Sequence, residues 1–251
     1  MTMISDNLQR VGAQIRAACQ AAGRDAASVR LLAVSKTFGA DLVHAAWQAG
    51  QNAFGENYIQ EAVDKIRHLR GLEVGTENGV PRAQPLEWHC IGPIQSNKTR
   101  LVAEYFDWVH SVDRFKIAER LSAQRPVGMA PLQICLQVNV DGGMNKSGVL
   151  PAELPGLARQ VAALPGLTLR GLMCIPEPAA DFAAASLPFL AAKALFDQMR
   201  AAHPSVDTLS MGMSADLEAA IHCGSTMVRV GSAIFGQRAA PSALGRAPGQ
   251  G

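Results

Sequence analysis

The sequence predicts an α/β fold, a single (β/α)8 TIM-type barrel preceded by an extra N-terminal helix. Three observations predict it. Short apolar runs alternate with helical patterns from Val29 to Gly231, the signature of βαβ units and a parallel sheet. Eight such runs occur in 251 residues, close to the usual length of a barrel. Several runs are continuously apolar, as strands covered on both faces are. An open doubly wound sheet is the alternative. It usually has fewer strands at this size, and no G-x-G-x-x-G follows the first run.

The elements are read in order. In the first twenty residues Leu8, Val11, Ile15 and Ala18 form one apolar stripe between Asp6, Gln9, Arg10 and Arg16, which predicts an amphipathic helix starting near Ser5. The runs 29–35, 52–54, 87–92, 108–112, 132–140, 167–175, 207–211 and 227–231 read as strands. The helical patterns between them fall at 40–50, 57–70, 96–104, 114–124, 151–163, 186–202 and 214–223. The stretch 70–85 is rich in Gly, Pro and polar residues and reads as a surface loop inserted in the barrel. Residues 1–237 form one domain in this reading, and 238–251 read as a disordered tail.

Composition narrows the function. The chain is 48% hydrophobic and 18% charged, which is globular composition. A formal net charge of +2 gives no basic field for nucleic acid. No apolar run approaches the ~20 residues that cross a bilayer, and the N-terminus lacks a signal-peptide core. The five cysteines at 19, 90, 135, 174 and 223 form no CxxC pair and suit buried thiols of a reducing cytoplasm. No metal is expected.

In a barrel the chemistry gathers at the C-terminal ends of the strands. The first strand ends in Ser35-Lys36-Thr37 and the second leads to Glu56 and Asn57. The third offers His89, Gly92 and Gln95, the fourth His110, Ser111 and Asp113, the fifth Asn139, and the sixth Met173 and Glu177. Lys146, in the Gly-rich loop beyond Asn139, reads as a solvated loop residue. The seventh strand leads into "MGMSADLEAAI", with Ser214 placed to cap a helix. The eighth leads into "VRVGSAIFG", where Gly231 and Ser232 allow close backbone approach and add a hydroxyl. Loops after the last two strands of a barrel are a frequent phosphate seat, and free N–H groups there can hold a dianion. Ordinary caps and turns would leave the same residues.

Lys36 sits where an apolar strand reaches the mouth. Desolvation lowers the pKa of such an ammonium, and a neutral amine forms a Schiff base with an aldehyde. With a phosphate seat across the mouth, pyridoxal 5′-phosphate is the economical ligand. A solvated lysine, one paired with Glu56, or a phosphosugar lyase using a lysine imine remain open on these residues alone. Arg229 shares a strand face with Gly231, placed to meet a ring nitrogen or an inward carboxylate.

These residues carry a resemblance. The segments "AVSKT" (33–37), "FGENYIQEAVDKI" (54–66), "EWHCIGPIQSNK" (87–98), "VHSVDRFKIAERL" (109–121), "LQVNV" with "NKSG", "LRGLMCI" (169–175) and "LSMGMSADLEAAIHCGSTMVRVGSAIFG" (209–236) resemble the pyridoxal phosphate homeostasis proteins, a family related to the N-terminal barrel domain of alanine racemase. The resemblance implies pyridoxal 5′-phosphate held as an internal aldimine by Lys36. It implies phosphate contacts from Ser214, Gly231 and Ser232 with Met213 nearby, and Arg229 facing the pyridine nitrogen. It implies that Asn57, His89 and Met211 line the ring. It also implies a cofactor-homeostasis protein with no established catalysis. The composition suits the cytoplasm; pyridoxal-phosphate-requiring apoenzymes are candidate partners, and monomer or weak dimer stays open. Two features depart from the family pattern: Phe38-Gly39 follow "SKT" where a more polar stretch is expected, and the 70–85 loop is long.

The competing enzyme is a racemase acting on a small amino acid. It needs an acid/base on each face of the substrate. Lys36 can serve one face. The only tyrosines, Tyr58 and Tyr105, begin a helix and approach a strand, and neither is an evident second base. An arginine donates to a pyridine nitrogen without protonating it, which weakens the ring as an electron sink. Holding the cofactor is therefore favoured over using it.

Overall fold

The computed structural model describes residues 2–73, 76–77, 80–81, 85–143 and 147–236. Eight parallel strands close into a barrel: β1 (Arg30–Val34), β2 (Ala53–Glu56), β3 (Glu87–Cys90), β4 (Trp108–Val112), β5 (Leu132–Gln137), β6 (Leu167–Met173), β7 (Thr208–Ser210) and β8 (Met227–Val230). Their order is β1-β8-β7-β6-β5-β4-β3-β2, with Leu32 opposite Arg229 and Ala33 opposite Phe54 closing the ring at β1.

The expected strands are all present, with shifted ends. β2 runs two residues further than expected, so Glu56 lies inside the strand. β5 and β6 stop at Gln137 and Met173 because the chain turns away there; Val138 instead bridges to Val149.

Period-two alternation sorts the strand residues. Ala33, Phe54, Val109, Leu136 and Leu209 join the large core shared with the helices, while Leu32, Ala53 and Met227 pack together as a small cluster in the barrel interior. The covering helices are α2 (Ala40–Gln48), α3 (Ile59–Glu73), α4 (Thr99–Tyr105), α5 (Phe115–Gln124), α6 (Leu154–Ala162), α7 (Phe182–Ala202) and α8 (Leu217–His222), with a final turn α9 (Ser232–Phe235). α7 begins four residues earlier than expected. The Asp181 carboxylate caps it by accepting from the Ala184 N–H at 2.9 Å, and Pro188 is absorbed inside.

The extra helix α1 (Met3–Ala21) is capped by the Thr2 hydroxyl, and it buries Val11, Ile15 and Ala18 of the expected stripe. It packs against α8 and α9. The Asn7 amide donates to the Ile234 carbonyl at 2.8 Å, and Arg24, just beyond the helix, donates to the Ile221 carbonyl at 2.7 Å. The N-terminal segment thus braces the two short helices that follow β7 and β8.

The expected 70–85 loop is corrected in part. Residues 70–73 continue α3, since Gly71 costs a helix only about 1 kcal/mol, and Thr76–Glu77 pairs antiparallel with Val80–Pro81. The rest of that loop, Lys146 and the expected tail 238–251 lie outside the described residues. Among the described residues no helix is long and apolar enough to cross a membrane, and no cluster of metal-ligating side chains occurs.

Candidate functional site

The C-terminal ends of the strands open into a cavity of about 600 Å3, a size typical of small-molecule sites. Val34, Lys36 and Phe38 line it from the end of β1, and Asn57 from the end of β2. Ile91 and Ile175 line it from beyond β3 and β6. Met213, Ser214 and Ala215 come from the β7–α8 loop, and Arg229, Gly231 and Ser232 from β8 and the turn into α9. Seven of the nine expected residues therefore meet at one cavity: Lys36, Asn57, Met213, Ser214, Arg229, Gly231 and Ser232.

His89 and Met211 do not line it. Ser210 closes β7 facing inward, where its hydroxyl meets Arg229, so alternation sends Met211 outward into the strand–helix core, fully buried. His89 does face the barrel interior, but below the cavity, with both ring nitrogens engaged by Glu87 and His110. Sequence reading missed Phe38, Ile91, Ile175 and Ala215 as lining residues. The first three are apolar residues at or just past strand ends, a signal easily taken for core.

The turn that delivers Lys36 is held from outside the barrel. Glu56 faces the strand–helix layer, and its Oε1 accepts from Ser35 Oγ at 2.6 Å and from Lys65 Nζ at 2.6 Å. Its ion-pair partner there is Lys65 of α3. Lys65 also donates to the Ser35 carbonyl at 2.8 Å and pairs with Glu61 at 2.8 Å. Glu61 in turn accepts from the Thr37 N–H at 2.7 Å. Thr37 is the one non-glycine residue at positive φ among those described, at 68°, a conformation that costs an L-residue about 1–2 kcal/mol. Burial pushes the Glu56 carboxyl above its ordinary range, with Lys65 pulling the other way.

Across the cavity lies a set of anion donors. The backbone N–H groups of Ser214, Ala215, Ser232 and Ala233 have no acceptor among the described residues. The Ser214 and Ser232 hydroxyls stand beside them. Gly231 packs closely on β1: a Cβ there would lie 3.0 Å from the Val34 carbonyl oxygen, which would have to give by a few tenths of an ångström. The expected cap is corrected: α8 starts at Leu217, and Asp216, not Ser214, occupies its N-cap position. The Asp216 carboxylate accepts from the Met213 N–H at 2.6 Å, which tightens the loop and leaves Ser214 ahead of the helix.

Arg229 forms the floor. It is 4% exposed. Its Nη1 donates to Ser210 O at 2.7 Å and Ser210 Oγ at 2.8 Å, and its Nη2 to the Cys174 carbonyl at 3.0 Å. Three of its five N–H groups are thereby used, and Nε–H and one Nη2–H have no acceptor among the described residues. Asn57 adds a buried side-chain oxygen with no donor among the described residues. Its backbone sits against Gly92, where a Cβ would lie 2.4 Å from the Asn57 carbonyl oxygen. At the rim Phe38, the departure noted after "SKT", stacks on Phe235 at 5.2 Å between ring centroids.

Comparisons with known proteins show what the chain is similar to in sequence and fold. Residues 7–239 match the family model described as alanine racemase, N-terminal domain. The pyridoxal phosphate homeostasis protein of Vibrio cholerae is 54% identical over 238 residues, covering 95% of this chain and 98% of that protein. The structure of PipY from Synechococcus elongatus, with pyridoxal phosphate bound, superposes with a TM-score of 0.77 at 34% identity, covering 93% of this chain and 100% of that one. Alanine racemase from Corynebacterium glutamicum shares the fold, with a TM-score of 0.62 at 17% identity, and this chain matches 60% of its length.

Proposed function

The chain belongs to the family of pyridoxal phosphate homeostasis proteins, and on that premise we propose that it binds pyridoxal 5′-phosphate at the barrel mouth and holds it without turning over an amino acid. One observation carries the reading. A single cavity brings together Lys36, a bank of unpaired backbone N–H groups with two hydroxyls, and a buried arginine with two unused donors. That donor set fits an aldehyde, a phosphate dianion and a ring acceptor on one small molecule.

When bound, pyridoxal 5′-phosphate supplies a reversible amine-reactive aldehyde and a conjugated ring that can take up electrons. Lys36 would hold the aldehyde. Ser214, Ala215, Ser232 and Ala233 would hold the phosphate, with Gly231 giving it room. Arg229 would donate to the ring nitrogen without surrendering its proton, and Asn57 would border the ring beside Met213. Ile91, Ile175 and Phe38 would shield the mouth from water.

The holding role is supported by what else lines the cavity. Among the described lining residues Lys36 and Arg229 are the cations, so no third cation receives an amino-acid carboxylate. Neither tyrosine is there: Tyr58 is 55% exposed ahead of α3, and Tyr105 accepts from Arg67 on the outer surface. Among the described residues no tyrosine faces the cavity to act as a base on the other face of a substrate. The five buried free cysteines suit a reducing cytoplasm. The released cofactor would serve apoenzymes that require it, from a monomer or weak dimer.

The test is direct. Protein loaded with pyridoxal 5′-phosphate turns yellow, and borohydride reduction followed by peptide mass mapping places a pyridoxyl adduct on the Lys36 peptide. A colourless protein, or an adduct elsewhere, overturns the binding site. Rapid α-hydrogen exchange of L- or D-amino acids in deuterated water, at enzyme-like rates, overturns the holding role.

A further inference from the structure

Below the cavity a chain of hydrogen bonds crosses the barrel interior from Arg229 to its opposite end. Arg229 Nη1 donates to Ser210 Oγ at 2.8 Å. Ser210 Oγ lies 2.9 Å from His110 Nδ1, and His110 Nε2 lies 2.9 Å from His89 Nδ1. His89 Nε2 lies 2.5 Å from Glu87 Oε1, which also accepts from Arg30 Nη1 at 2.7 Å. Five strands contribute: β8, β7, β4, β3 and β1. Ser210, His110 and His89 are fully buried, whereas the Glu87 and Arg30 side chains are 28% and 37% exposed.

The two ends dictate every proton between them. Glu87, ionised beside Arg30, can only accept, so His89 must carry its hydrogen on Nε2. His89 Nδ1 is then an acceptor, which requires a hydrogen on His110 Nε2. His110 Nδ1 is then an acceptor, which draws the Ser210 hydroxyl hydrogen. The lone pairs left on Ser210 Oγ face Arg229, which can only donate. Each donor and acceptor is satisfied once, with both rings neutral and every bond pointing from the mouth towards Glu87. The reverse arrangement would set a bare His89 nitrogen against the carboxylate. Such aligned bonds polarise one another in a low-dielectric interior.

The surrounding charges keep the rings neutral. Arg229 on β8 and Arg30 on β1 flank the pair, and the His89 ring stacks on Trp108 at 5.3 Å, which also meets the His110 ring at 6.0 Å and the Arg170 guanidinium at 4.9 Å. Burial first, then the neighbouring His89 ring, then the Arg229 and Arg30 charges hold His110 well below the ordinary histidine range. Burial lowers His89 too, against the pull of Glu87.

We propose that Ser210, His110, His89 and Glu87 are positioning residues for Arg229, forming a one-way hydrogen-bond chain that fixes its guanidinium as a donor aimed at the cofactor. The role of Arg229 rests on the reading above; the direction of the chain does not. Among the described residues Arg229 hydrogen-bonds to no carboxylate, so its orientation is set by two carbonyls and this hydroxyl. The only carboxylate that the chain reaches is on the far side of the barrel.

The experiment has two arms. In the first, imidazole 15N spectra of the ligand-free protein at pH 7 report the tautomers. His89 and His110 are expected to be neutral Nε2–H rings that do not titrate between pH 6 and 8. A protonated ring, or an Nδ1–H tautomer at either position, overturns the chain whatever the protein binds. In the second, Ser210→Ala is loaded with pyridoxal 5′-phosphate. The His110 Nδ1 resonance is expected to move, the visible cofactor band to shift, and binding to weaken roughly tenfold, the size of one charge-assisted hydrogen bond. Ser210→Thr, which restores the hydroxyl, is expected to restore both. A folded Ser210→Ala protein with unchanged band and affinity overturns the positioning role, and borohydride mapping of the same sample reports separately whether Lys36 holds the cofactor.

Discussion

Two buried polar clusters lie on either side of the same barrel wall and solve different problems. Outside β1 and β2, Ser35, Glu56, Lys65 and Glu61 form a compact ionic knot whose charges meet at 2.6–2.8 Å. Inside, Glu87, His89, His110, Ser210 and Arg229 form an extended chain of neutral groups with its charges confined to the two ends. The knot holds the Ser35 hydroxyl and carbonyl and the Thr37 N–H on either side of Lys36, so it fixes where that turn sits. The chain ends on a cavity-lining guanidinium, so it fixes how a donor points. Buried ionic and buried neutral networks therefore carry separate duties here, and cutting each leaves a different signature.

The knot gives the largest expected effect. Lys65→Met leaves Glu56 buried without its cation, which costs about 3–5 kcal/mol. Urea unfolding measures it, and Glu56→Gln added to Lys65→Met is expected to recover much of the loss. The pH dependence follows from the Glu56 carboxyl being raised by burial. A raised acid favours the folded state fully below the ordinary carboxylate range and loses that contribution as pH rises through the raised value. The Lys65→Met deficit should therefore shrink as pH falls. A deficit independent of pH would mean that Glu56 is not the group left stranded.

The chain's far end runs the opposite way. Burial resists ionisation of Glu87, but the hydrogen bond from His89 and the charge and hydrogen bond of Arg30 outweigh it and hold the carboxyl below its ordinary range. A lowered acid stabilises the fold above its unfolded value and loses that contribution as pH falls. Each unit of lowering is worth about 1.4 kcal/mol at neutral pH, lost as pH falls through and below the ordinary carboxylate range. Glu87→Gln is expected to flatten the stability profile across that window. An unaltered acid limb would remove Glu87 as the anchor.

How these clusters relate to the sequence explains what could be read in advance. The apolar run ending on Lys36 and the Gly-Ser segments after β7 and β8 are local patterns, and each falls at the cavity. Misplacements came from parity and height. Adding two residues to β2 put Glu56 within a strand whose outward face meets α3, and ending β7 at Ser210 turned Met211 outward. His89 has the right parity but lies a layer too deep, and a strand's period says nothing about height along the barrel axis. The chain itself joins residues 21 and 100 positions apart, a separation that no spacing rule encodes.

A smaller effect is expected at Gly92, which packs against Asn57 at the mouth. A Cβ there would lie 2.4 Å from the Asn57 carbonyl oxygen, closer than any packing tolerates, so Gly92→Ala must move the Asn57 backbone. Overpacking of this kind costs about 1–3 kcal/mol. Affinity for pyridoxal 5′-phosphate should fall with it, while the His89 and His110 nitrogen resonances stay in place. If those resonances move as well, mouth and interior are not the separate units described above.

The smallest effect is expected at Thr37, where the knot holds an exposed β-branched residue at φ 68°. Glycine removes a penalty of about 1–2 kcal/mol for that conformation and adds about 0.5–1 kcal/mol of unfolded-chain entropy. Thr37→Gly is therefore expected to stabilise the protein by about 0.5 kcal/mol, seen as a raised urea midpoint with an unchanged slope. The Glu61 carboxylate still accepts from the residue-37 N–H after this change, because only the side chain has gone. A loss of more than 1 kcal/mol would show that the threonine side chain, and not the ionic knot beneath it, sets the turn that presents Lys36.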